Sequence, residues 1–249
     1  MRLLSEIKPI NLREQVVEQV KTAIIEGQLK PGDHMVEATL TKQLGVSRTP
    51  LREALILLER EGLVESFPNR GVFVRKFDLS DVSLIFSMRI ALENFAADLI
   101  IKTLDKHDFE KLEQLIEEQR RYIRSKDFKH VRATDMSFHR YLIERSEHPL
   151  LIRNWSEIVA QIAALLYLRA EAMPNYNESL AIADHKKILE AYKTKNVARV
   201  RALNKQINER VEGECRKSLE TMSQPAKSAR ASPKRRRGGL EPSPLASQK

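Results

Sequence analysis

The stretch LTKQLGVSRTPLREALILLEREGLVESFPNRGVFV, from Leu40 to Val74, packs a great deal of punctuation into few residues. Leu40 and Leu44 face inward on a short helix that Gly45 ends. Ser47 stands where an N-cap belongs, and Pro50 falls in the first turn, where amides have no helical acceptor to lose. Leu51, Ala54, Leu55 and Leu58 follow at i, i+3, i+4 and i+7, the stripe of an amphipathic helix, and Gly62 stops it. LVESF and VFVRK, separated by a Pro/Asn/Gly turn, then read as a β-hairpin.

Upstream, Leu12, Val16, Val20 and Ile24 recur every fourth residue, with Val17 and Ala23 widening the stripe, so a helix is expected from about Asn11 to Glu26. Gly27 and the Lys30-Pro31-Gly32-Asp33 turn close it. Three helices and a hairpin make a winged helix-turn-helix pattern, assigned to residues 1–76.

The charges on the third helix are placed against its dipole. A helix N-terminus favours acids, yet Arg48 and Arg52 sit there on one face, opposite the leucine stripe. Ser47 and Thr49 add hydroxyls at the same end. An anion outside the protein would supply the missing charge, and duplex DNA is the expected one, read by the first turns of a recognition helix. Asn69, Arg70 and Gly71 form a small, basic wing tip suited to phosphate or minor-groove contact.

Overall charge does not make this case. Of the net +9, residues from Ser223 onward supply +6, with seven Lys/Arg against one Glu, leaving +3 for the rest. A single cysteine, Cys215, excludes an intramolecular disulfide framework and fits a reducing compartment. The longest nearly apolar run, Ile158 to Leu168, is far below the roughly 20 residues that cross a bilayer, and no secretory signal is visible. A cytoplasmic protein without membrane partners is expected.

Beyond Phe77 no strand signal occurs. Six amphipathic segments with short breaks predict an all-α helical bundle over residues 77–222, with Pro149 and Pro174 at or between helix ends. The fold class is therefore mainly α, a winged helix-turn-helix unit followed by an all-α helical-bundle domain. Residues 223–249, rich in Pro, Ser, Ala, Gly and Lys/Arg, are expected to form a disordered basic tail.

In the second half, Asp135 and His139 of DMSFH lie at i and i+4, one helix face apart by about 5–6 Å at Cβ. That spacing serves a metal, and it equally serves a hydrogen bond between the two side chains. His185 brings a second imidazole from a later helix. His34, His107, His130 and His148 have no comparable partners and read as surface or structural.

Leu40 to Val74, as quoted, closely resembles the DNA-binding domain of GntR-type bacterial transcription regulators, a likeness extending from about Asn11. That resemblance implies operator contacts by Ser47, Arg48, Thr49 and Arg52, with Asn69, Arg70 and Gly71 as the wing; Ala38 departs from members that carry a DNA-contacting arginine there. From about Leu79 to Leu219 the chain resembles the FCD effector domain of the FadR subfamily, through MRIALE with Arg89 and Glu93, DMSFH, and His185. The resemblance implies a divalent metal (Zn, Ni or Mn) held by Asp135, His139 and His185, and an arginine, Arg89, holding a small carboxylate. At the fourth ligand position, where the family has histidine, counting along the last helix gives Gln206. Gln206 would then ligate a harder ion or bond the effector directly; Arg89 has the alternative of a salt bridge to Glu93.

The function these readings imply is a homodimeric transcriptional regulator on a palindromic operator, a repressor by analogy, controlled by a small organic acid and without enzymatic activity. A metal-dependent enzyme with a DNA-binding appendage is the rival, and it lacks an arranged nucleophile or general base. A non-specific DNA binder driven by the KRRR run is a third reading.

Overall fold

The computed structural model describes residues 12–223. The first helices are α1 (Leu12–Ile25), α2 (Glu37–Leu44) and α3 (Arg48–Arg60), followed by strands β1 (Val64–Phe67) and β2 (Gly71–Val74). Then come α4 (Leu79–Ile100), α5 (Lys106–Arg124), α6 (Phe128–Glu144), α7 (Pro149–Ala172), α8 (Ser179–Lys193) and α9 (Val197–Ser223). Of the tail expected over residues 223–249, Ser223 ends α9 instead, and residues 224–249 lie outside the described residues.

Val16, Val17, Val20 and Ile24 of α1 meet Leu51, Ala54, Leu55 and Leu58 of α3, and Leu63, Val64 and Val74 close the core from the hairpin. Each such large side chain contributes about 1.5–3 kcal/mol by leaving water. The strands pair antiparallel with Val64 opposite Val74 and Phe67 opposite Gly71. Asn69 (φ 60°) and Gly71 (φ 91°) both take left-handed backbone in the wing turn. A Cβ on Gly71 would stand 2.7 Å from His34 Nε2, so the ring of His34, stacked on Phe73, fills the space a side chain would need.

Asp78 with Asp81 forms a capping box on α4, Asp105 with Asp108 forms one on α5, and Asp127 caps α6. α9 runs antiparallel to α4: Ser83 bonds Glu212, Asn94 bonds Asn204, and Asp98 pairs with Arg201. Two apolar clusters fill the bundle, one around Phe138 and Tyr192, the other around Phe86 and Trp155. One face of α4 has no cover among the described residues: Leu84, Met88, Phe95 and Leu99 are exposed along it.

The two halves share a seam. Ala160 and Ala164 of α7 complete the winged core. Gly27, at the end of α1, sits against Tyr167: a Cβ there would fall 1.8 Å from the tyrosine oxygen. Lys129 of α6 pairs with Glu26 at 2.5 Å, and Arg75 bridges to Asp81 at 2.5 Å and Gln161 at 3.1 Å. Among the described residues no helix is long and apolar enough to cross a membrane.

Candidate functional site

The start of α3 is laid out for an external anion. Ser47 occupies the N-cap position with extended backbone (φ −74°, ψ 170°), but its hydroxyl makes no capping bond, and no acid lies in the first turn. The first amides of α3 and the hydroxyls of Ser47 and Thr49 are thus left facing outward, beside exposed Arg48. Arg52 is exposed too, but is held: its Nε donates to Glu37 Oε1 at 2.9 Å and Oε2 at 3.0 Å from α2. That bond, reinforced by the charge of the guanidinium, holds the Glu37 carboxyl below its ordinary pKa. It fixes the aim of Arg52 while leaving the terminal nitrogens outward. In the wing, the Arg70 guanidinium lies 5.5 Å from the Phe67 ring centroid and 5.9 Å from that of Phe73, so two rings support its stem at the exposed tip.

The second constellation is buried in the helical bundle. α6 carries Asp135 and His139, α8 carries His185, and their ligand-capable atoms lie within 4.8 Å of one another. His185 Nε2 is 3.3 Å from His139 Nε2 and 3.4 Å from Asp135 Oδ1. A tetrahedral metal with bonds of about 2.0–2.1 Å has ligand–ligand edges of about 3.3–3.4 Å. The outer nitrogens are held as metal-ligating histidines require. His139 Nδ1 faces Glu93 Oε1 at 3.0 Å, and His185 Nδ1 faces Gln119 Oε1 at 3.0 Å. With both Nδ1–H groups donating to these oxygens, two Nε2 lone pairs point at each other. A cation between them removes that repulsion, so the residues fit a metal.

Electrostatics agree with the geometry. Burial drives the His185 pKa down to about 3, so its imidazole is neutral at ordinary pH, the form that binds a metal. Burial opposes charge on Asp135, but His185, His139, Arg89 and Arg169 outweigh it and keep the carboxyl below its usual range. Glu93 is likewise buried and likewise held down, by Arg89 and His139. Asn208 adds a bond to its other oxygen at 3.0 Å.

A compact cavity of about 40 Å³ opens beside these ligands, lined among others by Arg89, Arg132, Arg169, Tyr176, Glu178 and Ile207. Arg89 is buried there and donates from Nε to Glu93 Oε1 at 2.8 Å, so both readings of it hold in part: it faces the cavity and it forms the i, i+4 pair. Gln206 does not reach the site. It is exposed on α9, because the inward stripe of that helix runs Leu203, Ile207, Val211 and each step along a helix turns the side chain by about 100°. Ile207, one residue on, lines the cavity and cannot ligate. Gln206 is therefore withdrawn as an effector or metal ligand.

Gln119 went unnoticed in the sequence. Its Nε2 donates to Asp135 Oδ1 at 3.3 Å while its oxygen accepts from His185, so one carboxamide orients two ligands. Its signal was a lone polar residue continuing the buried Leu112, Leu115, Ile116 stripe of α5. Arg169 was also missed, its one charge lost inside an apolar helix.

Residues 12–74 match the family described as "Bacterial regulatory proteins, gntR family", and residues 84–210 match the FCD domain. The chain is 31% identical over 191 residues to the HTH-type transcriptional regulator YdhC of Bacillus subtilis, covering 76% of this chain and 84% of that one. It is 25% identical to the gluconate operon transcriptional repressor of the same organism, over 74% of this chain and 76% of the relative. The structure of E. coli McbR/YncC has the same fold, with a TM-score of 0.72 at 24% identity, covering 83% of this chain and 97% of the other. Together with the winged unit and the bundle, these matches make the chain a GntR-family, DNA-binding transcriptional regulator with an FCD domain.

Proposed function

We propose that the chain is a cytoplasmic repressor that binds a palindromic operator as a homodimer and leaves it when a small organic acid enters the cavity of the helical domain. Ser47, Arg48, Thr49 and Arg52 would read the major groove, and Asn69, Arg70 and Gly71 the flanking backbone or minor groove. The division runs at residues 76 and 222, with the tail adding salt-sensitive attraction to DNA. The relative named as the gluconate operon transcriptional repressor favours repression.

The observation that carries the reading is the path of α6. The helix that holds Asp135 and His139 also holds Lys129, paired to Glu26 of α1, and Arg132, stacked 5.8 Å from the Tyr167 ring that touches Gly27. Whatever binds the ligand cluster therefore acts on a helix already joined to the DNA-binding unit. The effector shifts operator affinity by its preference for one of the two arrangements. The exposed stripe Leu84, Met88, Phe95 and Leu99 supports α4 as the dimer face, since an uncovered apolar row of this length favours a self-complementary contact.

Asp135, His139 and His185 would hold zinc, nickel or manganese, leaving further coordination positions for the acid. The metal would polarise and neutralise the ligand carboxylate, and Arg89 would receive it beside Glu93. We propose no catalysis: of the carboxylates around the cavity, Asp135 belongs to the ligand cluster, Asp184 is paired to Arg210 and Glu178 faces Arg169 at 3.5 Å, an arrangement that sets none beside a nucleophile.

Selection of random duplex DNA on the full chain tests this reading. An inverted repeat with half-sites one or more helical turns apart is expected, its binding relieved by a small organic acid together with zinc. Near one metal per chain is expected, and none in His139→Ala. Enrichment of no symmetric site would count for a non-specific DNA binder, and turnover of the acid without any effect on DNA for the rival enzyme.

A further inference from the structure

Arg169 of α7 is an arginine with an unused edge. It is 5% exposed and lines the cavity. Nη1 donates to Glu214 Oε2 at 3.1 Å, Nη2 reaches Glu178 Oε2 only at 3.5 Å, and Nε is buried with no partner among the described residues. The Tyr176 ring lies under the guanidinium, its centroid 3.8 Å from the central carbon, and fixes the plane. A guanidinium binds a carboxylate best through two parallel N–H bonds. The Nε–Nη2 edge of Arg169 offers that fork and has one stretched bond to show for it.

Glu178 holds the place of the absent partner poorly. It stands at the N-cap of α8, yet its side chain caps nothing there, and burial raises its pKa. Arg132, which also lines the cavity, has no hydrogen bond or ion pair among the described residues beyond its stacking on Tyr167. The cavity therefore has cationic capacity that Asp135, His139, His185 and Arg89 do not use.

We propose that Arg169 is a second anion anchor of the effector cavity, that Glu178 is a stand-in carboxylate which the ligand displaces, and that the effector accordingly carries two acid groups. One group goes to the Asp135/His139/His185 cluster and Arg89, the other to the Nε–Nη2 edge of Arg169. The proposal rests on the reading of this cavity as an acid-effector site and narrows it to dicarboxylates and their hydroxylated relatives.

The experiment is calorimetric titration of the full chain, with zinc present, using succinate, malate, tartrate and citrate, then repeating the tightest of these on variants. Glu178→Gln, which keeps the shape and removes the competing charge, should bind it several-fold more tightly. Arg169→Gln should bind it at least tenfold more weakly. Glu178→Gln keeps the test alive if Arg169→Gln does not fold, which its melting curve reveals. Binding that falls in Arg89→Gln and His139→Ala but is unchanged in both Arg169→Gln and Glu178→Gln would overturn the second anchor and leave the acid-effector reading standing. Binding of none of these acids by any of the proteins would bring down both.

Discussion

The winged unit and the helical domain use polar chemistry in opposite places. Among the described residues every buried polar or charged side chain belongs to the helical domain, from Arg89 and Glu93 through His185 to Asn208; the winged unit has none. Its core is aliphatic, and Ser47, Arg48, Thr49, Arg52, Asn69 and Arg70 all lie on its exterior. A surface that meets a polyanion needs no desolvated charge in advance, because DNA brings its own. A cavity that selects a small molecule must build its charges inside and balance each one. Changes in the first region should therefore cost binding and spare the fold, while changes in the second should cost the fold itself.

The largest test of that contrast is Glu93→Ala. It leaves Arg89 buried without its partner and His139 Nδ1 without an acceptor, and should lower unfolding free energy by about 3–5 kcal/mol in urea. A loss under 1 kcal/mol would mean that the buried network is not a stability determinant. Next comes acid. Asp108 is 3% exposed; burial opposes its charge, but bonds from Arg145, Tyr141 and the Asp105 amide outweigh burial and bring its pKa to about 2. An unfolded aspartate titrates near about 3.9, so this group stabilises the fold fully above that pH and loses its effect as pH falls toward 2. Urea midpoints from pH 5 to 2 should fall by more in wild type than in Asp108→Asn, and parallel curves would refute the assignment. The smallest effect on folding belongs to Arg52→Ala. Its urea midpoint should match wild type, while affinity for the selected operator falls by roughly five- to hundredfold and that for random DNA barely moves. An unchanged operator affinity would move the recognition surface elsewhere.

The same contrast governs what the sequence could reveal. Leu51, Ala54, Leu55 and Leu58 announce an inward face by spacing alone, and with that face known Arg48 and Arg52 must look outward. The six later helices, and the one-face pair of Asp135 and His139, follow from the same periodicity. Which residues of different helices meet does not. Gln119 and His185 touch because α5 packs on α8, a matter of helix docking that neither segment encodes by itself. Gln206 failed for a simpler reason. Counting to a family position ignored the Leu203, Ile207, Val211 stripe, which already assigned the inward place to isoleucine.

Gly27 has one more implication. With no side chain of its own, it receives the tip of Tyr167 against bare backbone, a seat without a directional bond. Beside it Lys129 and Glu26 are joined by a charge attraction that tolerates some change of angle. With Ala160 and Ala164 of α7 packed into the winged core and Arg75 bonded to Gln161, this seam ties the winged unit to α7. Any larger residue at position 27 would meet the Tyr167 ring and would be strained by the left-handed backbone there (φ 71°), disturbing the join between the two halves whatever the cavity held.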